Sequence, residues 1–193
     1  MYDLIEKCLY NILFQFYKTS GFALAIGLLI VFIKVNFEGI DIIQALNKFR
    51  HKFIYDKNTR IAFVFYFYLS FLSFYLFYNT SLGRSPLANI FGVWGFVNNN
   101  GEFTSQNIEN IVFFLPFYPL LIFAYPNVIH PKDSFLKFLI RLIFASILLS
   151  LGVETLQLFL QVGKIQLSDV FYSFLGQIIG AIIFCFYKFI KQK

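Results

Sequence analysis

The sequence predicts an all-α fold, a polytopic membrane helix bundle of about five transmembrane helices with additional interfacial amphipathic helices. Of its 193 residues, 59% are hydrophobic and only 13% are charged, whereas a typical soluble domain has about 25% charged residues. Several uncharged runs approach the roughly 20 residues that a helix needs to cross a bilayer. The charged residues lie in short segments between these runs, as expected for loops between spans.

Residues 1–60 are expected to form an N-terminal region at and in the membrane. Within it, residues 1–18 place apolar side chains at helical spacing, which predicts an interfacial helix. Residues 19–33 carry no charge and predict the first transmembrane helix, although fifteen residues reach only about 22 Å unless the preceding helix continues into them. Residues 36–60 are the most charged segment and predict a basic amphipathic helix on the cytoplasmic membrane surface.

Residues 61–193 are expected to form the main membrane domain, whose four spans are predicted over residues 61–78, 110–129, 142–162 and 170–187. Two prolines, Pro116 and Pro119, interrupt the second of these spans. Proline removes a backbone donor, so we expect a kink there.

Residues 79–109 are a long polar connection with an apolar middle that contains the single tryptophan, Trp94. Indole side chains concentrate at membrane interfaces. We therefore expect this connection to touch the interface.

Five spans place successive loops on alternate sides of the membrane, so the positions of lysine and arginine predict the orientation. Twelve of the 16 lysines and arginines lie in residues 34–60, 132–141 and 188–193, and the other four lie on the opposite side. Cytoplasmic loops carry the excess of positive charge. The C-terminus is therefore expected in the cytoplasm, and the 79–109 connection and the 163–168 turn outside.

Glu154 is the only charged residue between positions 142 and 162, and an ionisable residue inside a span is costly enough to indicate function. Gln157, three residues later, shares its helix face. We predict that three further polar residues lie at the same outer side, where they can converge on one pocket: Asp169, Arg84 and Asn110.

In such a pocket, Glu154 is either paired with Arg84 or Lys164, or protonated because of burial. An internal polar network that only fixes helix positions is the structural alternative.

The stretch around Glu154 resembles the signature of the VanZ-like membrane proteins. The resemblance rests on the spacing of Glu154, Gln157, Gly163, Lys164, Asp169, Ser173, Gly176 and Gly180. Asn110 with Pro116 is similar to the third-helix element of the family, and Arg84 with Asn89 resembles its loop element. The resemblance covers about residues 75–187.

Two positions depart from the family pattern. Lys164 stands where the family usually has arginine, and Ser173 where it usually has asparagine. Lysine cannot make the planar bidentate contacts of arginine. Gly176 and Gly180, four residues apart, have the spacing of close helix packing within a bundle.

The resemblance implies a bacterial plasma membrane protein of the cell envelope, related to an accessory protein of glycopeptide (teicoplanin-type) resistance. The first functional hypothesis is a non-enzymatic protein that binds a lipid head group or a lipid-linked envelope molecule in an outward-facing polar pocket. An intramembrane enzyme acting on a lipid-linked substrate, with Glu154 as general base, is the second. The third is a small subunit or assembly factor that docks a membrane protein partner through residues 36–60.

Other classes of function have no support in the sequence. There is no metal-ligand spacing, no glycine-rich phosphate loop and no continuous basic stripe. We therefore expect no metal, no cofactor and no nucleic-acid partner.

Overall fold

The computed structural model describes residues 2–36, 41–78, 89–97, 101, 103–128, 135–162 and 166–191. Its α-helices are α1 (Tyr2–Val35), α2 (Ile42–Tyr55), α3 (Lys57–Tyr78), α4 (Gln106–Phe114), α5 (Phe117–Ala124), α6 (Phe135–Phe159) and α7 (Leu167–Lys191), with a short 3-10 helix at Pro126–Val128. The predicted all-α fold is confirmed. In this part of the chain, five segments are long and apolar enough to cross a membrane: Leu4–Val35, Lys57–Tyr78, Gln106–Ala124, Ile140–Phe159 and Leu167–Tyr187.

The helix α1 is continuous, so the helix predicted over residues 1–18 continues into the first predicted span, residues 19–33. This is the alternative that gives the span sufficient length to cross the membrane. Buried side chains follow one stripe along its whole length: Leu4, Cys8, Gln15, Thr19, Ala23 and Val31. This spacing of four, seven or eight residues keeps one face toward the bundle. Lys18, the last residue of the predicted interfacial segment, places its ammonium 5.0 Å from the centroid of the Tyr78 ring. The division of the chain at residue 60 stays a prediction.

The helices α1 and α3 pack together closely at Gly27. A Cβ atom at this position would lie 2.9 Å from the backbone nitrogen of Phe67, so only glycine permits the approach.

Asp56 alone separates α2 from α3. Its backbone N–H donates to Lys52 O over 2.8 Å, and its carboxylate accepts bonds from Asn58 N (2.9 Å) and Thr59 Oγ1 (2.7 Å). One residue therefore ends α2 and caps α3.

The predicted interruption at Pro116 separates α4 from α5. Because proline has no N–H, Pro116 cannot donate to the carbonyl of Val112, nor Pro119 to that of Leu115. Tyr68 Oη donates to the nearby Phe113 carbonyl over 2.7 Å, which supplies a tertiary bond beside the break.

An aromatic cluster fills the centre of the bundle between α3, α4, α5 and α7. Its buried members include Phe71, Phe113, Phe114, Phe117 and Tyr118. The polar site lies toward the N-terminal ends of α4 and α7.

Candidate functional site

Four helices enclose a small polar cavity of about 170 Å³. Its walls are formed by Tyr75 and Leu76 of α3, Gln106 and Asn110 of α4, Val153, Glu154 and Gln157 of α6, and Asp169 and Ser173 of α7. The structure thus brings together five predicted site residues: Asn110, Glu154, Gln157, Asp169 and Ser173. Among the lining residues that the structure describes there are two carboxylates and no lysine, arginine or histidine.

Asp169 is held by two amides from α4. Gln106 Nε2 donates to Asp169 Oδ2 over 2.9 Å, and Asn110 Nδ2 donates to Asp169 Oδ1 over 2.9 Å. The Asn110 amide is itself oriented by Tyr75, whose hydroxyl donates to Asn110 Oδ1 over 3.0 Å. These bonds fix the carboxylate between α3, α4 and α7.

Glu154 approaches the beginning of α7 from α6. It is only 6% exposed, and its Oε2 accepts a bond from the backbone N–H of Gln166 over 3.0 Å. The backbone N–H groups of Asp169 and Val170 donate to Gln166 O, so Gln166 begins the first turn of α7. Both carboxylates therefore lie at the positive end of the α7 dipole, which favours negative charge.

Gln157 joins the cavity wall to the end of α3. Its Nε2 donates to Leu76 O over 2.9 Å, and Leu76 is one of the last residues of that helix, whose carbonyls lack intrahelical partners. Ser173, which is also buried, completes the wall on α7 one turn after Asp169. The polar side chains thus connect the ends of four spans.

The remaining predicted residues lie elsewhere. Arg84 and Lys164 fall outside the described residues. Asn89 does not line the cavity; it begins a turn in which its carbonyl accepts a bond from Gly92 N over 3.1 Å.

Gly176 and Gly180 place α7 directly on the α4–α5 backbone. A Cβ at Gly176 would lie 2.4 Å from Ile111 O, and one at Gly180 would lie 1.9 Å from Leu115 O. Pro116 follows Leu115 at the break between the two helices. This approach brings Asn110 and Asp169 within hydrogen-bonding distance.

The sequence did not single out Gln106 and Tyr75, which both line the cavity. Gln106 lies one helical turn before Asn110, so the shared face was a usable signal. Nothing in the α3 sequence distinguishes Tyr75 from the many aromatic residues around it.

A second polar cluster on α4 was also missed. Asn11 Nδ2 donates to Glu109 Oε1 over 2.8 Å, and Ser105 Oγ donates to the same oxygen over 2.6 Å. These residues join α1 to α4 and do not line the cavity. Glu109, a carboxylate on α4, therefore takes part in the contact with α1 and not in the polar cavity.

The connection before α4 is docked on the helix beginnings next to the cavity. Leu167 N donates to Ile90 O over 2.7 Å, Asn107 Nδ2 donates to Val93 O over 2.9 Å, and Gly95 N donates to Tyr172 Oη over 3.0 Å. The connection thereby holds the first turns of α4 and α7 together.

Comparison with known proteins gives one family. The family model described as VanZ/LLP1 matches residues 22–188, nearly the whole chain. No curated protein and no solved structure matches the chain significantly. The family match therefore includes the C-terminal part of α1, from residue 22, as well as the region from residue 75 onward that carried the resemblance.

Proposed function

Because the chain belongs to the VanZ/LLP1 family, a family of membrane proteins, we propose that its cavity binds the head group of a lipid or lipid-linked cell-envelope molecule. In this proposal the chain crosses the bacterial plasma membrane and the cavity faces outward. The resemblance to an accessory protein of glycopeptide resistance makes an envelope ligand the natural class to test.

The observation that carries the proposal is the convergence of Glu154 and Asp169 in one cavity. A carboxylate offers about four acceptor positions, and Glu154 uses one of them for Gln166 N. Ammonium and hydroxyl groups supply donors to such oxygens. The cavity chemistry therefore suits an amine-bearing or hydroxyl-rich head group.

The size of the cavity supports a head group over a whole lipid. Its volume of about 170 Å³ is below the roughly 300–1,000 Å³ of pockets that enclose drug-sized ligands. The acyl chains of the ligand would remain in the bilayer, with only the polar end between the helices.

Native mass spectrometry of the detergent-purified protein tests this proposal. Phosphatidylethanolamine and phosphatidylcholine with the same acyl chains form a matched pair of probes, because only the first has N–H donors. We expect the wild type to retain phosphatidylethanolamine preferentially. We expect Glu154→Gln and Asp169→Asn to reduce that preference by about tenfold, the value of 1.4 kcal/mol.

Glu109→Gln is the matched control, since Glu109 is a carboxylate outside the cavity that is held by Asn11 and Ser105. It should keep the lipid preference of the wild type. Equal retention of both lipids by the wild type, or full preference in Glu154→Gln, would contradict the proposal. If the wild type binds neither lipid and both cavity variants lose thermal stability, the result would instead favour a purely structural polar network.

A further inference from the structure

A second concavity, separate from the polar cavity, lies on the surface between α1 and α3. This groove has a volume of about 560 Å³ and is lined by Ile26, Ile30, Tyr66, Leu69, Ser70, Ser73, Phe74, Phe77 and Tyr78. It shares no lining residue with the polar cavity. The two sites lie on different faces of α3.

The groove presents an apolar surface to a ligand, although two of its lining residues are serines. Ser70 Oγ donates to Tyr66 O over 2.8 Å, and Ser73 Oγ donates to Leu69 O over 2.8 Å. Both hydroxyls are thus satisfied by their own helix, a common arrangement for serine in membrane helices. A ligand in the groove therefore needs no polar group along the length of the groove.

The groove has the length of one membrane leaflet. Tyr66 and Tyr78 mark its two ends on α3, and twelve residues at 1.5 Å each give about 18 Å. Half of a hydrocarbon core of roughly 30 Å is about 15 Å. An extended acyl chain that enters at Tyr78 would pass the membrane centre shortly before it reaches Tyr66.

The two ends of the groove differ. Tyr78 is the last residue of α3 and is exposed, and the Lys18 ammonium lies 5.0 Å from the centroid of its ring. At the other end, the hydroxyl of Tyr66 bonds to the hydroxyl of Tyr125, which also accepts a bond from Lys34 Nζ over 3.1 Å. Each end therefore has a lysine ammonium nearby, but the two differ in their surroundings. Lys18 lies beside the exposed ring at the end of α3, whereas Lys34 belongs to the protein contacts that close the Tyr66 end, where its Nζ is 5.8 Å from the centroid of the Tyr66 ring.

We propose that the groove binds one acyl chain of an anionic phospholipid, with the phosphate of that lipid beside Lys18. Lys18 lies within α1, beside the last residue of α3. A lysine near the membrane boundary extends its ammonium toward the interface, where lipid phosphates lie. The leaflet length and apolar lining match the acyl chain, and the charge at the Tyr78 end matches the head group. This site is independent of head-group binding in the polar cavity.

The test is native mass spectrometry of the full chain after incubation with phosphatidylglycerol and phosphatidylcholine in equal amounts. Ser73→Phe fills the groove with a ring, and Lys18→Gln removes the charge. Thr155→Phe on α6 is the matched control, because Thr155 is also exposed and its hydroxyl also donates to its own helix, to Leu151 O over 2.7 Å.

We expect the wild type and Thr155→Phe to retain one phosphatidylglycerol, and Ser73→Phe to retain at least tenfold less. Lys18→Gln should still retain lipid but lose the preference for phosphatidylglycerol over phosphatidylcholine. Ser73→Phe should keep the wild-type preference for phosphatidylethanolamine over phosphatidylcholine, which distinguishes the groove from the polar cavity, because Ser73 does not line that cavity. If Ser73→Phe does not fold, Ile26→Phe fills the groove from the α1 wall instead.

Three results would overturn the proposal. The first is retention of phosphatidylglycerol by a folded Ser73→Phe or Ile26→Phe at the wild-type level. The second is equal retention of both lipids by the wild type. The third is a wild type that carries no phospholipid and runs as a dimer, because the groove would then be covered by a second copy of the chain.

Discussion

At the scale of single residues, the two cavity carboxylates are held in different ways. Asp169 accepts side-chain bonds from Gln106 and Asn110, whereas Glu154 accepts a backbone bond from Gln166. Glu154 therefore retains more acceptor capacity than Asp169. In the proposed function, Glu154 is the main contact with the head group, and Asp169 sets the local charge.

Most of the cavity could be predicted from single residues because charge and amides are rare in apolar spans. Glu154, Gln157 and Asp169 are conspicuous for that reason. Tyr75 was not predictable, since a tyrosine among many aromatic residues carries no such contrast. Its role depends on the tertiary contact with Asn110, which no local pattern contains.

A stability prediction at this scale concerns Gln177, which is 0% exposed. Its Nε2 donates to Ser150 Oγ over 3.0 Å, while its Oε1 has no hydrogen-bond partner among the described residues. Gln177→Leu keeps most of the volume and removes an unsatisfied acceptor, so we expect a change in unfolding free energy of less than about 1 kcal/mol. Gln177→Ala leaves a void and should cost about 2 kcal/mol or more.

Thermal unfolding of both variants in detergent measures this difference. Ser150 is not left without a bond in either variant, because a helical serine can donate to the carbonyl four residues earlier. A Gln177→Leu protein as unstable as Gln177→Ala would show that the bond to Ser150 outweighs the unsatisfied oxygen.

At the scale of whole elements, α7 can approach α4 and α5 only where it has glycine. Gly180→Ala would place a Cβ 1.9 Å from Leu115 O, so α7 must move. We expect a loss of about 1–3 kcal/mol in stability, measured as a lower unfolding temperature in detergent.

Gly152→Ala on α6 is the control for this prediction. A Cβ at Gly152 would have nothing within 4 Å, and alanine is a better helix former than glycine by about 1 kcal/mol. Gly152→Ala should therefore be neutral or stabilising. If both substitutions had the same effect, close packing at Gly180 would not be the cause.

The docked connection before α4 gives a second prediction for an element. Its exposed apolar side chains include Phe91, Trp94 and Phe96, and the Trp94 ring centroid lies 5.5 Å from that of Phe171 on α7. Because this ring contact joins the connection to a membrane-spanning helix, we expect the connection to lie in the membrane interface. Because Trp94 is the only tryptophan, its fluorescence reports directly on the position of the connection.

In reconstituted vesicles, we expect Trp94 emission to be quenched more strongly by lipids brominated near the head group than by iodide in water. Lipids brominated near the chain end should quench it less, since an indole at the interface is shallow. Trp94→Phe supplies the background signal. Quenching by iodide alone would place the connection in water and contradict the interfacial expectation.

The boundaries of elements were less predictable than their presence. The four later spans follow from uncharged runs, whereas the sequence left open whether residues 1–18 and 19–33 form one helix or two, and α1 is one continuous helix. A lysine beside an aromatic ring can remain within a long helix, because its stem is apolar and its ammonium contacts the ring face. Sequence spacing alone does not reveal that Tyr78 is the partner.

At the scale of the whole molecule, the length of α1 has to be reconciled with the bilayer. Its 34 residues correspond to about 51 Å, well beyond a hydrocarbon core of roughly 30 Å. Its N-terminal part also contacts the beginning of α4 through Asn11 and Glu109. We therefore expect α1 to extend past the membrane boundary on the side of the polar cavity.

The distribution of positive charge predicts the orientation of the molecule in the membrane. With five spans and twelve of 16 lysines and arginines on one side, the C-terminus should be cytoplasmic and the N-terminus outside. A green fluorescent protein joined to the C-terminus should fluoresce, and alkaline phosphatase at the same place should be inactive. Both results should reverse for a chain cut and fused after residue 100, and an N-terminal tag should be accessible from outside.

Two opposite results would have different meanings. An active C-terminal phosphatase would show that positive charge does not determine the orientation of this chain. A cytoplasmic C-terminus combined with an inaccessible N-terminal tag would instead show that α1 does not cross the membrane. In that case the polar cavity would still face outward, because the four later spans keep their orientation, but the groove between α1 and α3 would no longer lie along one leaflet.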